Sequence, residues 1–203
     1  MKKTLLSVLS IMLVGTISQT ALAQDTDEAG HNVGFVIPEV ALLDLERTGG
    51  VDISLSPDAP TEAGDALDFS SITNDEVWLN YSSIVGELDD GLGLGGLLTS
   101  SRKVTVKASA ALATFPADLK VSAGLCTTGD GQVGIPVVGG VTLSLLDQDL
   151  ITGIGSAYTE DGVDKGHQLT YTATQKTGST YAALRYGTET VVVTYTLSDD
   201  TIL

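Results

Sequence analysis

Two histidines, His31 and His167, are the only imidazoles in this 203-residue chain. A hydrolase of the Ser-His-acid type needs one of them beside a nucleophile and a carboxylate. His31 lies in a short acidic segment without apolar periodicity. His167 follows a glycine at the start of a β-patterned run, where we expect a capping or rim position. The run 153–157, GIGSA, lacks the G-x-S-x-G spacing of a nucleophile elbow. The positions of these residues therefore argue against histidine-based catalysis.

Other common catalytic and cofactor patterns are also missing. The stretch 91–96, GLGLGG, fits G-x-G-x-x-G, but the dinucleotide fingerprint needs a strand before it and a helix after it, and this stretch lies between two β-patterned runs. One cysteine and two distant histidines cannot supply the N and S ligands of a zinc site. We therefore expect no cofactor and no enzyme activity. A hydrolase that uses two carboxylates stays open, because 26 acidic residues always offer a pair.

Hard oxygen ligands cluster in the turn 159–166, which makes Glu160, Asp161 and Asp164 weak candidates for calcium binding. The turn does not follow the EF-hand pattern, and Lys165 would oppose a cation there. A solvated acidic turn is the simpler interpretation.

Trp78 is a candidate contact for a ligand. It is out of phase with the apolar positions Val77, Leu79 and Tyr81 of its run, so it should face outward, where an aromatic ring can stack on a sugar. The alternative is a tryptophan packed at the rim of a sheet.

Rows of threonine and a leucine-rich loop form two further candidate surfaces. Thr170, Thr172 and Thr194 face outward in the last two β-patterned runs, where they could meet a flat glycan or a neighbouring subunit. Threonine also simply favours strands. Leu92 and Leu94 lie in a long loop that either folds back onto the core or exposes an apolar contact.

The elements that would position these residues are strands. β-branched residues alternate with polar ones in about eight or nine runs bounded by Gly, Pro, Asp and Ser. The runs are 33–46, 51–55, 77–85, 102–109, 119–125, 141–146, 150–154, 167–176 and 190–197. We expect the last two to form a hairpin-like pair. The predicted fold is all-β, an immunoglobulin-like antiparallel β-sandwich, although the cysteine pair of antibody domains is missing.

The first residues predict export. Lys2 and Lys3, an apolar run and the small-x-small pattern at 21–23 are typical of a signal peptide over residues 1–23. Residues 24–32 then form a flexible acidic leader, and 33–203 a single β-sandwich domain. The protein should be extracellular, on the cell surface or in the periplasm. Gln24, where a lipoprotein would carry cysteine, argues against a lipid anchor.

Charge and hydropathy exclude several partners. The net charge of −16 at pH 7 disfavours nucleic acid and anionic membranes. No segment after the signal peptide approaches the roughly 20 apolar residues of a membrane-spanning helix. Cys126 cannot form an internal disulfide, so it is either a small buried hydrophobe or the site of an intermolecular bridge.

The chain resembles secreted bacterial fimbrial-subunit-like sandwiches in its signal peptide, short leader, Thr/Val-rich strands and final segment 190–200, TVVVTYTLSDD. This resemblance implies a non-enzymatic structural or adhesive protein, such as a filament or surface-assembly subunit, whose partners are its own copies or surface glycans. For strand addition Val33, Phe35 and Ile37 alternate suitably, whereas residues 25–32 are too polar to insert. The alternative function is a carbohydrate-binding module.

Overall fold

A computed structural model describes residues 30–70, 72–86 and 100–200. The predicted signal peptide, residues 24–29 of the predicted leader, and Leu92 and Leu94 lie outside the described residues. The described chain contains nine strands: β1 Val40–Glu46, β2 Ile72–Ile84, β3 Ser101–Ala108, β4 Ala117–Ala123, β5 Asp130–Pro136, β6 Val141–Thr142, β7 Gln148–Tyr158, β8 His167–Gln175 and β9 Val193–Asp200. Two short 3₁₀ helices, Ala110–Ala113 and Tyr181–Ala183, are the helical segments in this part of the chain.

All nine strands belong to one antiparallel sheet, so the prediction of an all-β fold is confirmed. The sheet has two arms. The first arm runs in the order β1-β2-β8-β4-β6, and the second in the order β5-β7-β3-β9. They are joined where Ser82 and Ser83 at the end of β2 pair with Tyr158 and Ala157 at the end of β7.

The two arms face each other across one hydrophobic core. Fully buried side chains from both arms belong to the same cluster, among them Leu79 and Leu169 from the first arm and Val104 from the second. The Tyr171 and Tyr195 hydroxyls are hydrogen-bonded at 2.6 Å although β8 and β9 are not paired in the sheet. Burial of each large aliphatic side chain contributes about 1.5–3 kcal/mol, so the fold rests mainly on this interior.

Several strand predictions need correction. Residues 33–39 are not part of β1, which begins at Val40, and Pro38 lacks the N–H group that a ladder needs. Residues 51–55 form no strand, yet Ile53 and Leu55 pack against the core. The strand β5 was not predicted. The last two strands are not a hairpin, because β9 pairs with β3 and β8 pairs with β2 and β4.

The chain divides between Val36 and Ile37 into two units, and all nine strands lie in the second. Residues 30–36, the described part of the first unit, have no regular secondary structure. No helix of the described chain is both long and apolar enough to cross a membrane.

Candidate functional site

A bulge in β2 shapes the outer face of the first arm. Between the pairs Asn74–Tyr171 and Val77–Leu169, β2 has two residues, Asp75 and Glu76, where β8 has only one. An extra residue in one strand bends it and changes the direction of the side chains beside it. The bulge therefore interrupts the regular alternation and brings two consecutive carboxylates to the surface next to Trp78.

These residues line a cleft of about 420 Å³. It is built from the end of β1, the bulge of β2, the start of β8 and the loop that precedes β8. Its lining residues are Arg47, Thr48, Asp75, Glu76, Trp78, Val163, Asp164 and Gln168. Trp78 is half-buried, and its two neighbours across the sheet are Glu46 on β1 and Gln168 on β8. The prediction that Trp78 lies opposite the apolar face of its strand is confirmed, since Val77 and Leu79 are buried.

Arg47 is held in place by a full set of acceptors. Its Nε and Nη2 donate to Glu76 Oε2 at 3.1 and 2.6 Å. Its Nη1 donates to the carbonyls of Gly50 and Asp52 at 3.1 and 2.9 Å. The hydrogen bonds from Arg47, together with one from Asn74, hold the pKa of the Glu76 carboxyl below its ordinary value. The charges of Arg47 and Glu76 thus compensate each other.

The other two carboxylates of the cleft are uncompensated. Within the described part of the chain, neither Asp75 nor Asp164 has a side-chain hydrogen bond or a salt bridge. The backbone carbonyl of Asp75 accepts a hydrogen bond from Gln168 Nε2 at 2.9 Å, which fixes the bulge against β8. The cleft therefore presents one aromatic ring and two available carboxylates to solvent.

The loop 159–166 forms one wall of the cleft and is anchored on β2. The Tyr81 backbone N–H donates to Thr159 Oγ1 at 2.9 Å, and the Thr159 N–H donates to the Tyr81 carbonyl at 3.1 Å. Asn80 Nδ2 donates to the Gly162 carbonyl at 2.9 Å. Asn80 is buried, and its Oδ1 has no partner among the described residues. These contacts hold the loop over the outer face of β2.

The three calcium candidates of this loop point to different neighbours. Glu160 forms an ion pair with Lys165, which together with its hydrogen bond lowers the pKa of the Glu160 carboxyl. Asp164 lines the cleft. The carboxylate oxygens of Asp161 lie within 4.8 Å of those of Asp44 and Glu46 on β1. The structure thus places two strand carboxylates beside the loop, and it does not bring the three candidates to one point.

The threonine rows lie on separate arms. Thr170 and Thr172 are half-buried on the outer face of β8, between β2 and β4. Thr194 is exposed on β9, at the edge of the second arm. They cannot form one continuous surface, so a single flat ligand could engage only one row.

His167 is not at a rim, as we expected, but fully buried. Its Nδ1 lies 2.8 Å from the Gly124 carbonyl oxygen, and its Nε2 lies 2.9 Å from the Tyr81 hydroxyl, which donates to the Val133 carbonyl. The His167 and Tyr81 rings stack with centroids 5.6 Å apart. Burial lowers the pKa of the His167 imidazole and raises that of the Tyr81 phenol, so both are neutral near pH 7.

The buried His167 predicts a pH-dependent stability. Because its folded-state pKa is lower than the ordinary 6.5, the unfolded chain binds the proton more tightly. The free energy of unfolding should be constant above about pH 6.5 and should decrease as the pH falls below 6.5. Urea unfolding of the wild type between about pH 8 and about pH 5 should show this decrease. His167→Gln should flatten it, whereas His31→Gln, at an exposed position, should keep the wild-type slope.

One carboxylate of the cleft, Glu76, is poorly suited to act as a general acid. A two-carboxylate hydrolase needs a general acid with a raised pKa. The Glu76 pKa is shifted downward, so this carboxylate is a poor proton donor. Cys126 is half-buried and its thiol donates to the Thr128 carbonyl at 3.2 Å, away from the residues that line the cleft.

Sequence reasoning found Trp78 but missed Arg47, Asp75, Glu76 and Gln168. The bulge and the register of β2 against β8 bring them together, and neither shows in local periodicity. The run LDLE at 43–46 did carry a signal, because its alternation places Asp44 and Glu46 on one outer face.

Comparison with known proteins identifies no relative. No family model matches the chain, and no curated protein or solved structure is significantly similar to it.

Proposed function

We propose that this is an exported, non-enzymatic adhesive protein that binds a glycan in the cleft beside Trp78. The observation that carries the proposal is that a half-buried tryptophan lines the same surface cleft as charged and amide side chains. The signal-peptide pattern at residues 1–23 supports export.

The residues of the cleft match what a sugar offers. One face of a sugar ring is formed by C–H groups that pack on an aromatic ring, and its edge carries hydroxyls that need hydrogen-bond partners. Trp78 supplies the ring, and Gln168, Thr48 and Asp75 supply polar groups around it. Small-ligand sites are usually concave, with polar groups placed around aromatic or apolar side chains to fix the ligand's orientation. The Arg47–Glu76 ion pair and the bulge both limit how far this cleft can change shape.

Trp78 is the chain's single tryptophan, so its fluorescence reports on this cleft alone. Titration with a panel of oligosaccharides should change the emission maximum or intensity for the cognate glycan. Trp78→Ala should weaken that binding about tenfold or more, measured by calorimetry, because it removes the stacking surface. Tyr186→Ala is the control, since Tyr186 is a fully exposed aromatic that does not line the cleft.

Two results would contradict the proposal. Binding of the glycan that is unchanged in Trp78→Ala would move the site elsewhere. Mass spectrometry of the recovered oligosaccharide should show the intact ligand, and shortened products would instead support the two-carboxylate hydrolase.

Self-association is a second candidate function, favoured by an apolar segment before β1. Val33, Phe35 and Val36 are 83%, 88% and 85% exposed, and Ile37 is also exposed. So many adjacent large apolar side chains in solvent mark an interaction site. Among the described strands, β9 pairs with β3 alone, and its inward side chains, such as Tyr195 and Leu197, remain half-buried. An apolar segment of a second copy could add to this edge.

The double variant Phe35→Ser/Ile37→Ser should shift assemblies to monomer in sedimentation experiments and remove filaments from electron micrographs of the source cells. Added salt should promote association of the wild type, because each copy carries a net charge of −16. Val138→Ser removes an equally exposed apolar side chain elsewhere and should change neither result. A wild type that is monomeric at high salt would rule this candidate out.

A further inference from the structure

The charges of the cleft specify its ligand further. We infer that the glycan bound beside Trp78 carries free ammonium groups, as in an oligosaccharide of 2-amino sugars. This inference rests on the proposed glycan-binding function and names the chemical class of its ligand.

The cleft itself carries more negative than positive charge. Three carboxylates, Asp75, Glu76 and Asp164, and one guanidinium line it. Arg47 is committed to Glu76 and to two backbone carbonyls, so it has little left to offer an anionic or acidic ligand. Asp75 and Asp164 have no ionic partner among the described residues. A ligand that displaces water here therefore meets two unneutralised negative charges and no available positive one.

The surroundings of the cleft add to this potential. Glu46 lies directly across the strand pair from Trp78, and its carboxylate is close to those of Asp44 and Asp161. The cation of the adjoining loop, Lys165, is already paired with Glu160. Among the described residues, Asp75, Asp164 and Glu46 thus lie near the tryptophan without an ion-pair partner. Such a one-signed surface attracts cations and speeds their association.

Trp78 provides the second, independent contact for a cation. The face of an indole attracts an ammonium group more strongly than any other aromatic side chain does. A 2-amino sugar combines a C–H face for the ring with an ammonium for Asp75 or Asp164. Thr48 and Gln168, which also line the cleft, can bond the hydroxyls of a sugar. A lysine side chain reaches the ring through a hydrocarbon stem without hydroxyls, whereas an amino sugar carries its ammonium and its hydroxyls on the ring that stacks, so we infer the amino sugar rather than a basic peptide.

The experiment compares two ligands with the same sugar backbone, one with free amines and one with acetylated amines. A glucosamine tetramer and the N-acetylglucosamine tetramer are titrated into the purified protein at about pH 6, where amines are protonated. Calorimetry and Trp78 fluorescence measure the affinity. We expect the glucosamine tetramer to bind at least about tenfold more tightly, and its affinity to fall between about 50 mM and about 300 mM NaCl.

Neutral variants test the carboxylates without removing the ring. Asp75→Asn and Asp164→Asn should each weaken binding of the glucosamine tetramer about two- to fivefold, and by a larger factor than they weaken binding of the N-acetylated tetramer. Asp149→Asn makes the same charge change on the second arm and should have no effect. Trp78→Phe keeps an aromatic face and should retain part of the affinity that Trp78→Ala loses.

Each outcome decides a different question. Equal affinity for both tetramers would overturn the ammonium inference and leave glycan binding in place. If neither tetramer binds but another glycan of the panel does, the ammonium inference is also overturned and glycan binding stays in place. A protein that binds no glycan at all would overturn both. Binding of tetralysine without the glucosamine tetramer would show that the cationic partner is a basic peptide and would also overturn the inference.

Discussion

Gly129→Ala is expected to lower the free energy of unfolding by about 3–5 kcal/mol, a large share of the roughly 5–15 kcal/mol that stabilises a domain. Gly129 precedes β5 with a φ of +75°, and a Cβ there would lie 1.8 Å from the Tyr158 carbonyl oxygen. The Tyr158 carbonyl carbon and Thr159 Cα are within 2.8 Å of the same point. Because all three are backbone atoms, the end of β7 would have to move.

That movement would also reach the cleft. Thr128 Oγ1 donates to the Thr159 carbonyl at 2.6 Å and accepts from the Gly166 N–H at 3.0 Å, so it ties the loop 159–166 at both ends. Gly129→Ala should therefore reduce glycan binding as well as stability, even under conditions in which the variant is folded.

Gly49→Ala is the matched control, because Gly49 has a φ of +86° and nothing within 4 Å of its virtual Cβ. It isolates the backbone cost of a left-handed alanine, about 1–2 kcal/mol, from the clash. Urea unfolding followed by circular dichroism measures both variants. If Gly129→Ala lowered the free energy of unfolding no more than Gly49→Ala does, the end of β7 would be shown to move without an energetic penalty.

The parts of the fold that sequence alone predicted are those in which local alternation and burial agree. On β8, Leu169, Tyr171 and Ala173 are buried, and Thr170 and Thr172 lie on the outer face, as their period of two requires. β3, β4 and β8 were therefore predicted within one or two residues of their bounds.

The sequence did not predict β5 because its glycines allow close approach to β7, and its apolar and polar residues do not alternate. Its sequence, DGQVGIP, contains two glycines with positive φ. A Cβ on Gly131 would lie 2.3 Å from the Ser156 carbonyl oxygen, and one on Gly134 would lie 2.6 Å from Ile154 Cγ1. Only glycine fits so near β7. Such a contact between distant segments leaves no periodic trace in the sequence.

Pairing and the candidate site were hidden for a related reason. β9 is adjacent in sequence to β8 but hydrogen-bonds to β3, which is far earlier in the chain. The strand that bears Trp78 was predicted, but the cleft depends on a bulge and on the partner of that strand. Local patterns show which way a side chain points, whereas cross-strand neighbours such as Gln168 follow only from the topology.

Arg102→Met is the second variant from which we expect a large loss, about 3 kcal/mol of unfolding free energy. Arg102 is 3% exposed at the edge of the sandwich. Its Nη1 donates to the carbonyls of Val40 and Ile84 and to Ser83 Oγ. Its other nitrogens pair with the carboxylates of Glu39 and Asp199. One buried side chain of β3 thus holds the start of β1, the end of β2 and the end of β9.

The loss should arise from hydrogen-bond acceptors that are left without a donor rather than from carboxylates that are left without a counter-charge. Both partner carboxylates are mostly exposed, so after Arg102→Met they can be hydrated, while the part-buried Val40 and Ile84 carbonyls and the buried Ser83 hydroxyl lose their donor. The opposite change, Glu39→Gln with Asp199→Asn, leaves the buried guanidinium without a counter-charge. It should destabilise by more than the two single variants together. Lys107→Met breaks the exposed pair with Asp147 and should cost about 1 kcal/mol or less. If Arg102→Met cost no more than Lys107→Met in urea unfolding, the edge strands would be held by their ladders alone.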